Sequence, residues 1–201
     1  MKFTHENIIL IESWLDQNSI TPSLDSEFII RTYKEVLMNN YKIKDKESVK
    51  LRNRGFQLQF EFVRRDLLKI IYKNNNKSAS GIKSGFVYAI ANPAWRDYVK
   101  IGSAIDVYDR LASYQTSSPL RDFYLIDYYF AHNRLEEESV IHNLFDRNSE
   151  WCKASVPEMK LLFKQRKINS QIKVPDEMLY EIKDRLGKPR HHVKKHRPRF
   201  T

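Results

Sequence analysis

Two short runs of strand-forming residues, joined by a turn, restrict the fold of this chain more than any other feature. Residues 86–90 (Phe-Val-Tyr-Ala-Ile) and 97–101 (Asp-Tyr-Val-Lys-Ile) are rich in aromatic and β-branched side chains, with an Asn-Pro pair at 92–93 between them. They predict a β-hairpin with a loop of moderate length. Because side chains alternate along a strand, we expect Tyr88 and Lys100 on one open face while their neighbours turn to the core.

A helix is predicted directly after this hairpin. Gly102 permits a tight exit from the second strand, and Ser103 or Asp106 can cap the first turn of the helix. Arg110 follows within the helical stretch. The order strand, strand, helix therefore places a tyrosine, a lysine and an arginine on three consecutive elements.

A second helical pattern, at 134–145, carries acidic residues and a histidine. Glu138 and His142 are four residues apart and share a face of the helix. One glutamate on a rigid helix can hold a divalent ion that is otherwise ligated by water and phosphate oxygens, as suits Mg²⁺. The adjacent Glu137 leaves the register of the metal ligand open. Zinc is not expected, because the spacing offers no third ligand.

Taken in order, these motifs resemble the active site of GIY-YIG nucleases. The motifs are Gly-Phe-Val-Tyr ending at Tyr88, Val-Lys-Ile-Gly ending at Gly102, Asp-Arg-Leu around Arg110, and Glu-Ser-Val-Ile-His from Glu138 to His142. The resemblance covers residues 85–151. It is closest to a phage-rich branch of the family, with Lys-Ile-Gly as the second motif and Glu-x-x-x-His as the third.

The resemblance implies an α+β fold, with a small antiparallel sheet flanked by helices, and metal-dependent hydrolysis that leaves a 5′ phosphate and a 3′ hydroxyl. It implies that Tyr88, acting with Lys100, takes the proton from the attacking water. Arg110 would neutralise the phosphate, Glu138 would hold Mg²⁺ or Mn²⁺, and His142 would orient Tyr88 or the metal-bound water. Lys100 stands where many members have a second tyrosine, a variation that related members tolerate.

The charge of the chain predicts a polyanionic partner. A formal net charge of +10 and a pI of about 9.6 favour nucleic acid, and double-stranded DNA is the expected form. The longest apolar runs are too short to cross a bilayer, and the N-terminus lacks the pattern of a secretory signal. We therefore expect no membrane partner and a cytoplasmic location, in the host cell if the protein is phage-encoded.

Composition divides the 201 residues into segments. Residues 1–72 carry two helical patterns, then a strict alternation from Phe56 to Phe62 that predicts a half-buried strand running into a further helix. This mainly helical unit is expected to bind DNA; a winged-helix arrangement is one interpretation, and an ordinary helical cap is the other. Residues 73–84, with three consecutive asparagines, predict a flexible linker to a nuclease domain at 85–186.

The last segment, residues 187–201, is basic, contains two prolines and shows no apolar period. It predicts a disordered arm that lies along phosphates. The side chains expected to contact DNA are the basic residues of this arm and those that precede the predicted strand: Lys50, Arg52, Arg54, Lys188, Arg190, Lys194, Lys195, Arg197 and Arg199.

The leading functional prediction is a site-specific DNA endonuclease encoded by a phage or mobile element. It could serve homing, restriction or attack on a competitor's DNA, such as a satellite replication origin. One alternative is a catalytically silent, sequence-specific repressor derived from such a nuclease, and another is a structural nucleic-acid protein dominated by its basic tail. A homodimer would supply two active sites for the two strands, but the sequence leaves the oligomeric state open.

Overall fold

The computed structural model describes residues 5–37 and 54–174. Within them the α-helices are α1 (His5–Gln17), α2 (Ser26–Thr32), α3 (Arg54–Asn74), α4 (Val107–Thr116), α5 (Arg134–His142) and α6 (Val156–Asn169), and a π-helical turn, Tyr33–Leu37, extends α2. The strands are β1 (Gly85–Ala91), β2 (Tyr98–Ala104), β3 (Tyr124–Ala131), β4 (Arg147–Asn148) and β5 (Trp151–Lys153). The predicted α+β class is confirmed.

The five strands form one antiparallel sheet in the order β3-β1-β2-β5-β4. The predicted hairpin is present as β1 and β2, in which Tyr88 is paired with Gly102 and Ile90 with Lys100. Residues directly opposite each other in an antiparallel pair lie on the same face, and so do residues two apart along a strand. Tyr88 and Lys100 therefore share a face, as predicted.

Helices cover both faces of the sheet. We call the first the α4 face: Phe86, Tyr88 and Ile90 pack there against Val107 of α4. The second is the α5 face, where alternate strand residues pack against Ile141 of α5 and against α6. The strand residues of that second core are Val87, Ala89, Val99, Ile101, Tyr129 and Cys152. The sheet thus separates two layers of side chains.

The predicted strand at 56–62 is wrong, because these residues begin the 21-residue helix α3. Phe60, Val63 and Leu67 recur at helical spacing and are buried in a core shared with α1 and α2, whereas Leu58 is 55% exposed. A seven-residue alternation is too short to exclude a helix, and tertiary packing on one side of the chain selects it. The described residues therefore lack the strand on which a winged-helix interpretation rested.

Helix α3 also contacts the sheet. Leu68 belongs to the core of the α4 face, and the guanidinium carbon of Arg64 lies 4.2 Å from the ring centroid of Phe130. Lys69 forms an ion pair with Asp106, at the start of α4. One helix therefore belongs both to the N-terminal core and to the packing on the sheet.

The segment between α3 and β1 is held to the start of α5 by an arginine. Helix α3 continues to Asn74, and the guanidinium of Arg134 donates hydrogen bonds to the backbone carbonyls of Ile82 and Ser84. The domain boundaries and a flexible linker at 73–84 stay predictions. No helix among residues 5–37 and 54–174 is long and apolar enough to cross a membrane.

Candidate active site

Tyr88 lies at the centre of the α4 face, 2% exposed. Its hydroxyl is 3.1 Å from the hydroxyl of Tyr114 and accepts a hydrogen bond from Nε of Arg110 at 3.4 Å. The phenol ring lies directly over Gly102, where a Cβ atom would be 2.6 Å from Cζ of the tyrosine. The absence of a side chain at Gly102 is therefore what allows Tyr88 to reach Arg110.

The environment of Tyr88 favours the neutral phenol. Burial raises the pKa of Tyr88 far above its ordinary value, and the hydrogen bond with Tyr114 raises this pKa further. The hydrogen bond from Arg110 works in the opposite direction but is a smaller effect. The tyrosine therefore keeps its proton at neutral pH.

Arg110 lies on the exposed side of α4, in the second turn of the helix. Its guanidinium carbon is 4.9 Å from the ring centroid of Tyr114, and its pKa is raised, chiefly by the hydrogen bond with Tyr88. Asp106 fixes the start of this helix by accepting hydrogen bonds from the backbone of Tyr108 and Asp109 at 2.8 and 3.3 Å. Of the two predicted caps, Asp106 is the one used.

Lys100 reaches the same cluster from β2. Its side chain is 13% exposed and forms an ion pair with Glu150. Its ammonium lies 5.1 Å from the ring centroid of Tyr114 and 5.5 Å from that of Trp151. The structure therefore brings together three of the predicted site residues, with Tyr114 in contact with all of them.

Tyr114 and Glu150 are site residues to which the sequence analysis assigned no role. Tyr114 follows Arg110 by four residues, and that spacing on a helix could have indicated a shared surface. Glu150 had no such signal, because its approach to Lys100 depends on the pairing of β5 with β2.

Glu138 and His142 form a separate pair on α5. The Oε1 atom of Glu138 is 3.6 Å from Nε2 of His142, whose Nδ1 is 3.5 Å from Sγ of the buried Cys152. Helix α5 packs through Ile141 on the α5 face, the opposite side of the sheet from Tyr88. No hydrogen bond or ion pair of the described residues joins Glu138 to the cluster around Tyr88.

Strand β2 is paired with β5 along only part of its length. Strand β5 pairs with β2 as far as Lys100, and the backbone carbonyl of Glu150 accepts the next hydrogen bond, from the amide of Ile101. In the described part of the chain, no further strand covers residues 102–104 on that side. Beyond Ile101, β2 therefore has an edge that no other described strand pairs with.

The neighbouring glutamates are engaged elsewhere. Glu137 accepts a hydrogen bond from the hydroxyl of Tyr129 at 3.0 Å and forms an ion pair with Arg166 at 2.9 Å. Glu136 accepts a hydrogen bond from the side chain of Asn133, the N-cap of α5, at 2.8 Å. Of the three consecutive glutamates, only Glu138 is paired with His142 among the described contacts.

The predicted DNA contacts of the N-terminal unit and of the basic arm fall largely outside the described residues. They are Lys50, Arg52, Lys188, Arg190, Lys194, Lys195, Arg197 and Arg199. Arg54 is the first residue of α3, and the position of its side chain is outside the description. Among residues 5–37 and 54–174, no group of three or more His, Cys, Asp or Glu side chains is arranged to hold a metal ion.

Comparison with known proteins assigns a family likeness to one part of the chain. No curated protein and no solved structure matches the chain. The matched part, residues 85–167, contains the whole sheet, α4, α5 and most of α6. This part of the chain is similar to the T5orf172 domain, a phage-associated and nuclease-related family.

Proposed function

We propose that this protein is a metal-dependent endonuclease that hydrolyses phosphodiester bonds in DNA. The observation that carries the proposal is the cluster on the α4 face, where the exposed Arg110 and the ammonium of Lys100 meet the phenols of Tyr88 and Tyr114. Fixed cations beside hydroxyl groups are suited to a phosphate and an attacking water. The likeness of residues 85–167 to a nuclease-related domain supports the same reaction class.

Arg110 would bind the phosphate next to the bond that is cut. Its guanidinium remains charged and presents donors in a planar fork that matches phosphate oxygens. The contacts with Tyr88 and Tyr114 fix its orientation through Nε and through one face of the guanidinium. The terminal amino groups can then donate to the substrate.

Tyr88 would orient the attacking water as a neutral phenol. Its raised pKa makes a resident phenolate unfavourable, so the sequence-based role of proton acceptor requires help from the substrate complex. A phenol can both donate and accept a hydrogen bond, which suffices to position a water. To take the proton from the water, Tyr88 would first have to lose its own proton to solvent, and the charges of Lys100 and Arg110 would stabilise the phenolate that this leaves.

Glu138 is the residue that would hold a divalent cation. Its side chain is 19% exposed, and a single carboxylate suits Mg²⁺ or Mn²⁺, which keep several water ligands. A bound cation would supply charge stabilisation at the phosphate and at the leaving oxygen. His142, 3.6 Å from the carboxylate, would position Glu138. The substrate would have to contact both Glu138 and Arg110, and we assign this contact to the unpaired edge of β2 at 102–104.

A pair of isosteric substitutions on α5 tests this assignment. In Mg²⁺ and low salt, Glu138→Gln should slow the nicking of supercoiled plasmid by about a hundredfold or more, since a metal ion contributes several kcal/mol to charge stabilisation. Glu137→Gln should retain nicking, because Glu137 contacts Arg166 and Tyr129 instead. Binding of DNA in EDTA should be unchanged in both variants.

One result would change the assigned metal ligand, and another would overturn the nuclease proposal. Full activity of Glu138→Gln, with loss in Glu137→Gln, would move the metal ligand by one residue. Tight DNA binding without any nicking by the unaltered protein would favour the silent repressor. If nicking is found, mapping the cut positions across phage, host and satellite genomes would distinguish homing from restriction and from attack on a competitor.

A further inference from the structure

A cavity of about 560 Å³ opens beside the cluster of the α4 face. Four aromatic side chains line it, and it shares Lys100 and Tyr114 with the candidate active site. The other three aromatic residues are Trp95, Phe123 and Trp151. The cavity is therefore next to the position that we assign to the phosphate.

The rings of this cavity pack against one another and leave part of their surface exposed. Trp95 packs edge-on against Trp151, with ring centroids 4.9 Å apart, and is 6.1 Å from Phe123. Phe123 is in turn 5.8 Å from Tyr114. Trp95 nevertheless remains 49% exposed, and Leu120 at the rim is 80% exposed. Large apolar side chains exposed together beside fixed cations are a feature of binding sites.

The loop that carries Trp95 is fixed by hydrogen bonds. The buried side chain of Asn92 accepts a hydrogen bond from the amide of Ala94 at 2.8 Å and donates one to Asp122 at 2.7 Å. Asp122 also accepts a hydrogen bond from Ser118 at 2.8 Å. The two loops that form the rim are thus tied together before any ligand binds, which lowers the entropic cost of binding.

We propose that this cavity binds an unpaired nucleobase of the DNA strand whose phosphate contacts Arg110. The inference rests on the proposed function for the identity of the substrate and adds that the substrate carries at least one nucleotide outside a duplex. Every base has a π-face that stacks on aromatic rings, whereas a base within a duplex is covered by its neighbours. Lys100, whose ammonium pairs with Glu150 and lies 5.5 Å from the ring of Trp151, is at the wall of the cavity, and the net charge of +10 attracts a polyanionic strand.

The test is a binding experiment that needs no cleavage. A single-stranded oligonucleotide that contains 2-aminopurine, a base whose fluorescence falls on stacking, is titrated with the full-length protein in EDTA. We expect quenching and an affinity that falls about 5- to 150-fold in Trp95→Ala, the range found when a ring that stacks on a base is removed. The same base in a fully paired duplex should show little quenching.

Three control variants separate stacking from a structural effect. Trp95→Phe should restore most of the quenching, because it keeps an aromatic ring, while Trp95→Leu should not. Leu161→Ala removes an exposed apolar side chain far from the cavity in the chain, 70% exposed on α6, and should leave quenching unchanged. Equal quenching by Trp95→Leu and the unaltered protein would overturn the proposal.

Different results would refute the base-binding cavity and the proposed nuclease activity. Quenching that depends on the ring at position 95, without nicking of any DNA, would support the base-binding cavity and refute the nuclease. Nicking that needs Glu138, with no quenching and no preference for unpaired DNA, would do the reverse. Capture of an apolar peptide by the cavity, with no effect of the oligonucleotide, would assign it to a protein partner and also overturn the proposal.

Discussion

At the scale of single residues, two phenols and a guanidinium determine what the α4 face can do. The 3.1 Å contact between Tyr88 and Tyr114 requires at least one of them to be protonated, since two phenolate oxygens would repel each other. Arg110 donates a hydrogen bond to the hydroxyl of Tyr88, lies over the ring of Tyr114 and adds a permanent positive charge. This arrangement favours orientation and charge stabilisation over the storage of a strong base.

The buried carboxyl of Asp66 destabilises the fold at neutral pH. Asp66 on α3 is 3% exposed, and its Oδ2 atom has no hydrogen-bond partner among the described residues. Burial raises its pKa from 3.8 to about 6. With the folded-state pKa raised, the contribution of Asp66 to stability is fully present below about pH 4 and is lost as the pH rises through 6.

We therefore predict that Asp66→Asn stabilises the protein at pH 7. The free energy of unfolding in urea should rise by up to about 3 kcal/mol relative to the unaltered protein, and the difference should vanish near pH 4. The same exchange at Asp16, which is exposed on α1, is the control and should have little effect at either pH. A stabilisation that does not depend on pH would contradict this account of Asp66.

At the scale of elements, α4 carries Arg110, to which we assign the phosphate, and the first turn of α4 fixes the position of the helix. Asp106 caps α4 and also pairs with Lys69 of α3. Although burial alone would raise the pKa of this carboxyl, Lys69 and the backbone amides of the helix hold it below its usual value. One side chain thus aligns the helix of Arg110 with α3.

Two substitutions at Asp106 should separate its cap from its charge. Asn caps a helix about as well as Asp, so Asp106→Asn should lose only the attraction to Lys69. Asp106→Ala should be about 1 kcal/mol less stable than Asp106→Asn in urea unfolding, and slower in nicking because Arg110 is no longer fixed. Equal stability and nicking of the two variants would show that the cap has no such role.

At the scale of the whole molecule, α3 couples the N-terminal helices to the sheet. Its Leu67 belongs to the core with α1 and α2, and the next residue, Leu68, belongs to the core of the α4 face. The end of the described chain returns to the same helix, because the side chain of Gln57 exchanges two hydrogen bonds with the backbone of Ile172 at 2.8 and 3.1 Å. Displacement of α3 would therefore disturb both cores.

The net charge of the whole chain gives a prediction about affinity. Deletion of residues 187–201 removes six of the 35 Lys and Arg residues. If all six neutralise phosphates of duplex DNA, the slope of log affinity against log salt should become shallower by about 5, measured by fluorescence anisotropy in EDTA. Deletion of 197–201, which removes Arg197 and Arg199, should change the slope by about 2. An unaltered slope would place the arm away from the DNA.

Local patterns in the sequence determined two of the five described strands and the helix that follows them. The hairpin, the cap at Asp106 and the shared face of Tyr88 and Lys100 all follow from alternation, turn chemistry and helix capping. The predicted exit at Gly102 is wrong, because β2 continues to Ala104 through its pairing with β1. The resemblance through short motifs pointed to the region that matches a nuclease-related domain. These features depend on residues that are close together in the chain, so they can be predicted from the sequence without knowledge of the tertiary structure.

Only the tertiary structure decided what lies between distant segments. Packing against α1 and α2 made residues 56–62 helical, because their alternation fits either period and the core selected one of them. Strand pairing brought Glu150 to Lys100, and the contacts of Glu137 with Arg166 and Tyr129 distinguish it from Glu138. The sheet also separates α5, which carries Glu138, from the cluster around Tyr88, because α5 packs through Ile141 on the opposite face.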